Sequence, residues 1–268
     1  MNTKMNKKQN KKQIKNINQK VLKLMQLMVE HNYITMTEIL MLYPEPSAFR
    51  YLDLLERKGL LKRADLMQGL STRKLYYLSG EGYNYLNDEG LLRVRRRFTR
   101  SDFSHALFAH NLVLVQVRII LEKHPAVVDF SPEQVLRAER GRNPERECDA
   151  EVVVQPLYGS RETYGIEVQF SKRSEKRWRE DFIYPLERRD DLKKILWVCP
   201  EHLYRHARAS ISKFLQQDKH HFVRIENLRK YGLEAEWQKE YPYVGLEPDL
   251  KKENTNYIGG FPWIKKES

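Results

Sequence analysis

Cysteine is nearly absent from this chain of 268 residues. Cys148 and Cys199 alone cannot build a disulfide framework or supply a four-thiolate metal site. Both are expected to be buried as small apolar side chains. Long apolar runs are missing too. No stretch approaches the roughly 18 to 20 residues of a membrane span, and the N-terminus lacks the apolar segment of a secretory signal. The expectation is a cytoplasmic protein with no membrane partner. Acids are in deficit, with 36 Asp and Glu against 48 Lys and Arg and a net charge of +12. Aromatic residues are plentiful. With 15 Tyr, 10 Phe and 4 Trp in a 41% apolar composition the chain can build a core, which excludes disorder along its whole length. The length allows one large domain or two small ones.

The charge is unevenly spread. Residues 1–20 hold seven lysines and no acid, more than half of the net charge. Residues 1–19 therefore read as a disordered basic arm, which either tracks phosphates with strong salt dependence or serves as a solubilising tail. From residue 20 the pattern changes. Val21, Leu22, Leu24, Met25, Met28 and Val29 recur at helical spacing up to His31-Asn32. A short extended piece, Tyr33-Ile34-Thr35, precedes a second helix capped by Thr37 and stopped by Pro44 and Pro46. Ser47 is expected to cap a third helix, with Phe49, Leu52, Leu55 and Leu60 on its core side and Gly59 as its stop. KRADLMQGLSTRKLYYLS then reads as a hairpin around Gly69, and GEGYNYLNDEG as a closing helix.

This order, with the phrases LLERKGLLKR and RKLYYLSGEGYNYL, resembles a winged helix-turn-helix over roughly residues 20 to 87. Residues 20–90 are assigned to that domain. The resemblance implies that the third helix enters a DNA major groove and that the hairpin wing touches backbone or minor groove. Arg50, Arg57 and Lys58 would lie near DNA, with Arg63, Arg73 and Lys74 around the wing. The third helix is not densely basic, so a protein-binding winged helix stays open. Residues 91–103 form an Arg-rich linker whose Arg95, Arg96 and Arg97 are expected to face phosphate.

A second domain is expected over residues 104–228, opened by a helix through SHALFAHNLVLVQVRIILEKH capped by Ser101 or Ser104. Its centre reads as a strand over 147–156, a turn at Tyr158-Gly159-Ser160 and a strand over 163–170. Alternation puts Ala150, Val152 and Val154 on one face and Asp149 and Glu151 on the other. In the second strand Tyr164, Ile166, Val168 and Phe170 oppose Glu167 and Gln169. Paired as an antiparallel hairpin, the strands bring Asp149 and Glu167 together at the open end. Two carboxylates there would repel unless a cation lay between them, and their hard oxygens suit Mg²⁺ or Mn²⁺. Solvated surface acids are the plainer alternative.

The layout resembles the PD-(D/E)XK nuclease superfamily, in which an acid on one strand and the (D/E)-X-K pair on the next hold the metal and activate water. Asp149 and Glu167 stand for the two acids. Gln169 stands where the family has lysine, and the nearest basic residues are Lys172 and Arg173. The resemblance implies a role for Lys172 or Arg173 at the transition state, and Glu133 and Glu139 are further ligand candidates. Downstream come a helix from Ser174 carrying Arg177, Phe182 and Tyr184, a buried strand from Ile195 to Cys199, and a helix from Glu201. His105, Asn111, Glu147-Cys148-Asp149, Ile166 to Ser171, Arg177-Trp178 and Tyr184, in this order, are similar to the replication-relaxation family, and more closely to the MOBC relaxases of mobilisable plasmids.

The expected fold class is α/β (α+β), an N-terminal winged helix-turn-helix followed by a restriction-endonuclease-like PD-(D/E)XK core, with a C-terminal extension over 229–268. The resemblance implies metal-dependent nicking of double-stranded plasmid DNA at an origin of transfer, alongside an accessory relaxosome protein and a coupling protein. Arg177 joins the DNA-contacting set, and His105, Glu133 and Tyr184 are further site candidates. His202 and His206, four apart with no third ligand, read as surface or packing residues. Two other readings stay open: a non-catalytic DNA-binding regulator with a decayed nuclease fold, and a restriction or repair nuclease. Oligomeric state is left open.

Overall fold

Asn18 opens the first helix by accepting the backbone N–H of Val21 at 3.0 Å, and α1 (Gln19–Glu30) then buries Val21, Leu24, Met25 and Met28 along one stripe. The structure is a computed structural model and describes residues 17–68, 71–141, 147–155, 160–212, 219–232 and 238–239. Most of the basic arm, the hairpin tip at Gly69, the turn at Tyr158-Gly159 and nearly all of the C-terminal extension lie outside the described residues. The chain is a mixed α/β protein that divides into two compact units, Met1–Phe108 and Ala109–Ser268.

In the first unit α1 leads to Ile34, which bridges Tyr76, and then to α2 (Met36–Leu42) and α3 (Glu45–Arg57). Antiparallel β1 (Leu61–Gln68) and β2 (Ser71–Leu78) follow, then α4 (Gly80–Asp88). The elements come in the order that the apolar spacing predicts, but three details differ. Thr35, not Thr37, opens α2, because the Glu38 carboxylate turns back to accept the Thr35 backbone N–H at 2.9 Å. Ser47 lies inside α3, which begins at Glu45 with proline in its first turn. Phe49 is not in the core but 52% exposed. The buried stripe of α3 runs through Ala48, Tyr51, Leu52 and Leu55, and Phe49 sits one residue, about 100°, away from Ala48. The Arg-rich stretch is anchored through buried Val94 and Phe98, the latter 5.3 Å from the Tyr33 ring and 5.4 Å from Tyr77. The division between the units falls inside α5 (His105–Leu121).

The second unit is built on a six-stranded sheet whose spatial order follows the chain. β3 (Val127–Pro132), β4 (Ala150–Val154) and β5 (Glu162–Val168) form an antiparallel meander, with α6 (Glu133–Arg140) between β3 and β4. A helical segment follows as α7 (Glu175–Trp178), a π-helical turn (Arg179–Ile183) and α8 (Tyr184–Glu187). It leads to β6 (Leu192–Cys199), parallel to β5. Then come α9 (Glu201–Ser212), β7 (His220–Arg224) parallel to β6, α10 (Ile225–Tyr231) and the short antiparallel β8 (Gln238–Lys239). On one face Trp197 and Phe222 pack with Trp178, Phe182, Ile183 and Tyr204. Arg118 of α5 stacks 5.6 Å over Phe130 of β3. The central strands are buried on both faces. Glu151 and Glu167 are each 2% exposed, so the expected acid-bearing face is not a solvated one. Both cysteines are buried, as expected. Among the described residues no helix is long and apolar enough to cross a membrane.

Candidate active site

Asp149 sits in a bend immediately before β4. β4 and β5 pair Ala150 with Ile166, so the next rung of the ladder sets Asp149 opposite Glu167. The acids expected at the open end of this strand pair are therefore brought to one place. Because Asp149 precedes the strand, the alternation that would have grouped it with Glu151 does not reach it. Its Oδ2 instead accepts the Val168 backbone N–H at 2.7 Å and lies 3.0 Å from His110 Nε2. His110 comes from α5, and its Nδ1 lies 3.3 Å from Asn111 Oδ1. Burial disfavours charge on this imidazole. The hydrogen bond and charge of Asp149 outweigh it, with Asn111 and Glu167 adding, and raise its pKa to about 9. At neutral pH an imidazolium thus supplies positive charge beside the two carboxylates.

Glu151 takes a separate course. It accepts Arg140 Nη1 at 2.7 Å and Arg189 Nη2 at 2.7 Å, while Arg189 also binds Asp191 through Nε at 2.7 Å. Glu147, two residues before Asp149, is the outer member of this group, 3.6 Å from Arg140 and 3.9 Å from Arg189. Burial raises its pKa despite the two guanidinium groups. Cys148, between them in sequence, packs over Gly165 so closely that a Cβ there would come within 2.6 Å of its Sγ. Burial, reinforced by Glu167, pushes its thiol well up, which rules it out as a nucleophile at neutral pH.

The remaining candidates are placed as follows. The Gln169 backbone N–H binds the Val198 carbonyl at 2.9 Å, and its side-chain amide folds back on the carbonyl and hydroxyl of Ser171. Lys172 is exposed just beyond it, and Arg173 stacks 4.1 Å over the Phe182 ring. Glu133 touches the site through its backbone, donating its N–H to the Asp149 carbonyl at 2.9 Å, while its carboxylate pairs with Arg137. Arg177 is paired with Asp181 at 3.3 Å, Tyr184 is 43% exposed, and His206 Nε2 lies 3.3 Å from the Arg173 carbonyl. His105 belongs to the first unit, edge-on to Phe103 at 4.9 Å.

No family model, curated protein or solved structure matches the chain.

Within the first unit the expected DNA-contacting residues divide. Arg50, Arg63, Arg73, Lys74, Arg95, Arg96 and Arg97 are exposed. Arg57 is exposed but bound to Asp53 at 2.7 Å, Arg63 lies 3.5 Å from Glu56, Arg96 pairs with Asp102, and Lys58 is half-buried at the end of α3. His110 is the residue that sequence reasoning missed. Its only signal is a histidine-asparagine pair inside an otherwise apolar helix, and the partner that gives it meaning is 39 positions away.

Proposed function

We propose that this is a cytoplasmic, DNA-binding, divalent-metal-dependent endonuclease of the relaxase kind, nicking plasmid DNA at an origin of transfer. The observation that carries the reading is the register of antiparallel β4 and β5, which sets Asp149, in the bend before β4, opposite Glu167 of β5. That strand pair follows α5, β3 and α6 and is succeeded by a helical segment and by β6, parallel to β5. A helix before the strand pair and a helix and buried strand after it are in the order expected of the second domain, and the helix, bridge, helix, helix and hairpin ahead of them are in the order expected of a winged helix. Asp149 and Glu167 are hard-oxygen donors of the type Mg²⁺ or Mn²⁺ takes. These two residues would hold the ion; among the described residues no cluster of three or more His, Cys, Asp or Glu suited to a metal occurs. A bound divalent cation supplies a water of lowered pKa and polarises the scissile phosphate.

The chain's own groups have separate tasks. The Val168 N–H and His110 hold the Asp149 carboxylate in one orientation. Lys172, exposed in the loop after β5, or Arg173 would stabilise charge developing on the phosphate. Gln169, neutral and with its amide turned to Ser171, cannot take up a proton from water. Exposed cations of the hairpin and of residues 95–97 supply phosphate contacts, with the basic arm adding to them. An accessory relaxosome protein and a coupling protein would complete the assembly.

A second reading, a DNA-binding regulator with a decayed nuclease core, is favoured by Gln169 and by His110, which already supplies the positive charge that two facing carboxylates require. The test is to incubate supercoiled plasmid carrying the transfer origin with and without Mg²⁺ or Mn²⁺. Open circles formed only with metal are expected. Specific binding without any cleavage supports the regulator, and linear product supports a restriction or repair nuclease.

A further inference from the structure

We infer that Phe49 and Arg50 are the base-reading pair of α3, with Phe49 packing on a thymine methyl group and Arg50 bonding a neighbouring guanine in the major groove. The inference rests on the double-stranded DNA reading above and assigns sequence specificity within it. Helical spacing puts Glu45, Pro46, Phe49, Arg50, Asp53 and Arg57 on the outward stripe of α3, opposite buried Ala48, Tyr51, Leu52 and Leu55. A phenylalanine 52% exposed on such a stripe leaves a large apolar surface in water. Its neighbour Arg50 is held with its guanidinium 5.5 Å over the Tyr51 ring. Both lie in the N-terminal half of the helix, the part that meets base edges when a recognition helix enters the groove.

The charge pattern points the same way. Glu45 and Asp53 offset Arg50 and Arg57, and Asp53 binds Arg57 at 2.7 Å, so the stripe is close to neutral and ill suited to tracking phosphates. Lys62, Arg63, Arg73 and Lys74 are exposed on the hairpin that follows, with Asp65 as the acid paired across from Lys74. Attraction to the DNA backbone therefore comes from the hairpin, and the helix presents one aromatic ring and one forked donor. These match the two major-groove features that such groups read, the thymine methyl and the O6/N7 edge of guanine.

Duplexes are selected from a random library at fixed salt by the full-length wild type, Phe49→Ala and Arg50→Ala, with circular dichroism confirming that each variant is folded. The wild type should enrich a site containing adjacent thymine and guanine. Arg50→Ala should relax the guanine preference by roughly 5- to 100-fold. Replacing the thymine by deoxyuridine removes only the methyl group. It should weaken wild-type binding about fourfold and leave Phe49→Ala unaffected. Variants that select the wild-type site with the wild-type deoxyuridine penalty overturn the inference and leave the DNA reading standing, as does a wild-type site without a thymine-guanine step. A wild type that enriches no site and shows no salt-dependent duplex binding overturns both.

Discussion

His110 and His220 are both drawn from the ordinary histidine pKa of 6.5, in opposite directions. His110, raised to about 9 against the pull of burial by its bond to Asp149, stabilises the fold fully below pH 6.5, and that contribution is lost as pH rises through about 9. His220 is fully buried and lowered to about 3, first by burial and then by the positive charges of Lys219 and His221. Its Nδ1 accepts the Trp197 indole N–H at 2.9 Å, and Glu187 Oε1 lies 3.9 Å from its Nε2. Below pH 6.5 the unfolded chain takes up a proton that the folded chain refuses. Stability should therefore fall as the pH is lowered from 6.5 toward about 3. Urea midpoints measured from pH 4 to 9.5 check both contributions. His220→Gln should flatten the acid limb and His110→Gln the alkaline limb, and a limb unchanged in its variant would remove that histidine from the explanation. Neither role was legible in the sequence. A histidine in HALFAHNLVLVQV reads as a core residue, and the shift depends on a carboxylate 39 positions away.

Among the elements, the end of α6, the start of β4 and the loop after α8 are joined by Arg140, Glu151 and Arg189. Glu151 and Arg189 are 2% and 4% exposed, so each depends on the other to offset its desolvation. Arg189→Met should destabilise the protein by about 3 to 5 kcal/mol, and adding Glu151→Leu should restore much of that loss. A single-variant cost below about 1 kcal/mol would show that Arg140 alone satisfies Glu151. Elements with a clear apolar period, such as α1, the β1–β2 hairpin and β6, were legible because burial on one or both faces writes that period. β3 was not legible, since VVDFSP is short and its final Ser-Pro runs into Glu133, which reads as a helix start. The Thr35–Glu38 cap was present in the sequence at capping-box spacing, and Thr37 competed with it. Hydrophobic character alone predicts burial for Phe49, whereas the phase of the helix leaves it outside. The Asp149–Glu167 pairing was legible from strand order, because an antiparallel pair fixes which ends meet. Asp149's hydrogen bonds were not, because they depend on a bend that no alternation describes.

For the whole molecule, the net charge of +12 is concentrated at the N-terminus. Six of the lysines lie in residues 1–19, so deleting that arm should reduce the slope of log affinity against log salt by as much as about 5. An unchanged slope would show that the arm makes no phosphate contacts. Replacing Arg95, Arg96 and Arg97 together with alanine should weaken binding to all duplexes alike, which parallel titrations of an origin-containing and an unrelated duplex would reveal. Loss of discrimination at unchanged affinity would instead make these residues base readers.

The nuclease proposal turns on Asp149 and Glu167. Supercoiled plasmid carrying a candidate transfer origin is incubated with Mg²⁺ or Mn²⁺ and wild type, Asp149→Ala or Glu167→Ala, while affinity for the same origin is followed by anisotropy. Metal-dependent open circles from the wild type, abolished in both variants with DNA affinity within about twofold, are expected if the two carboxylates form the reactive centre. Nicking by either variant at the wild-type rate would show that the reactive centre lies elsewhere.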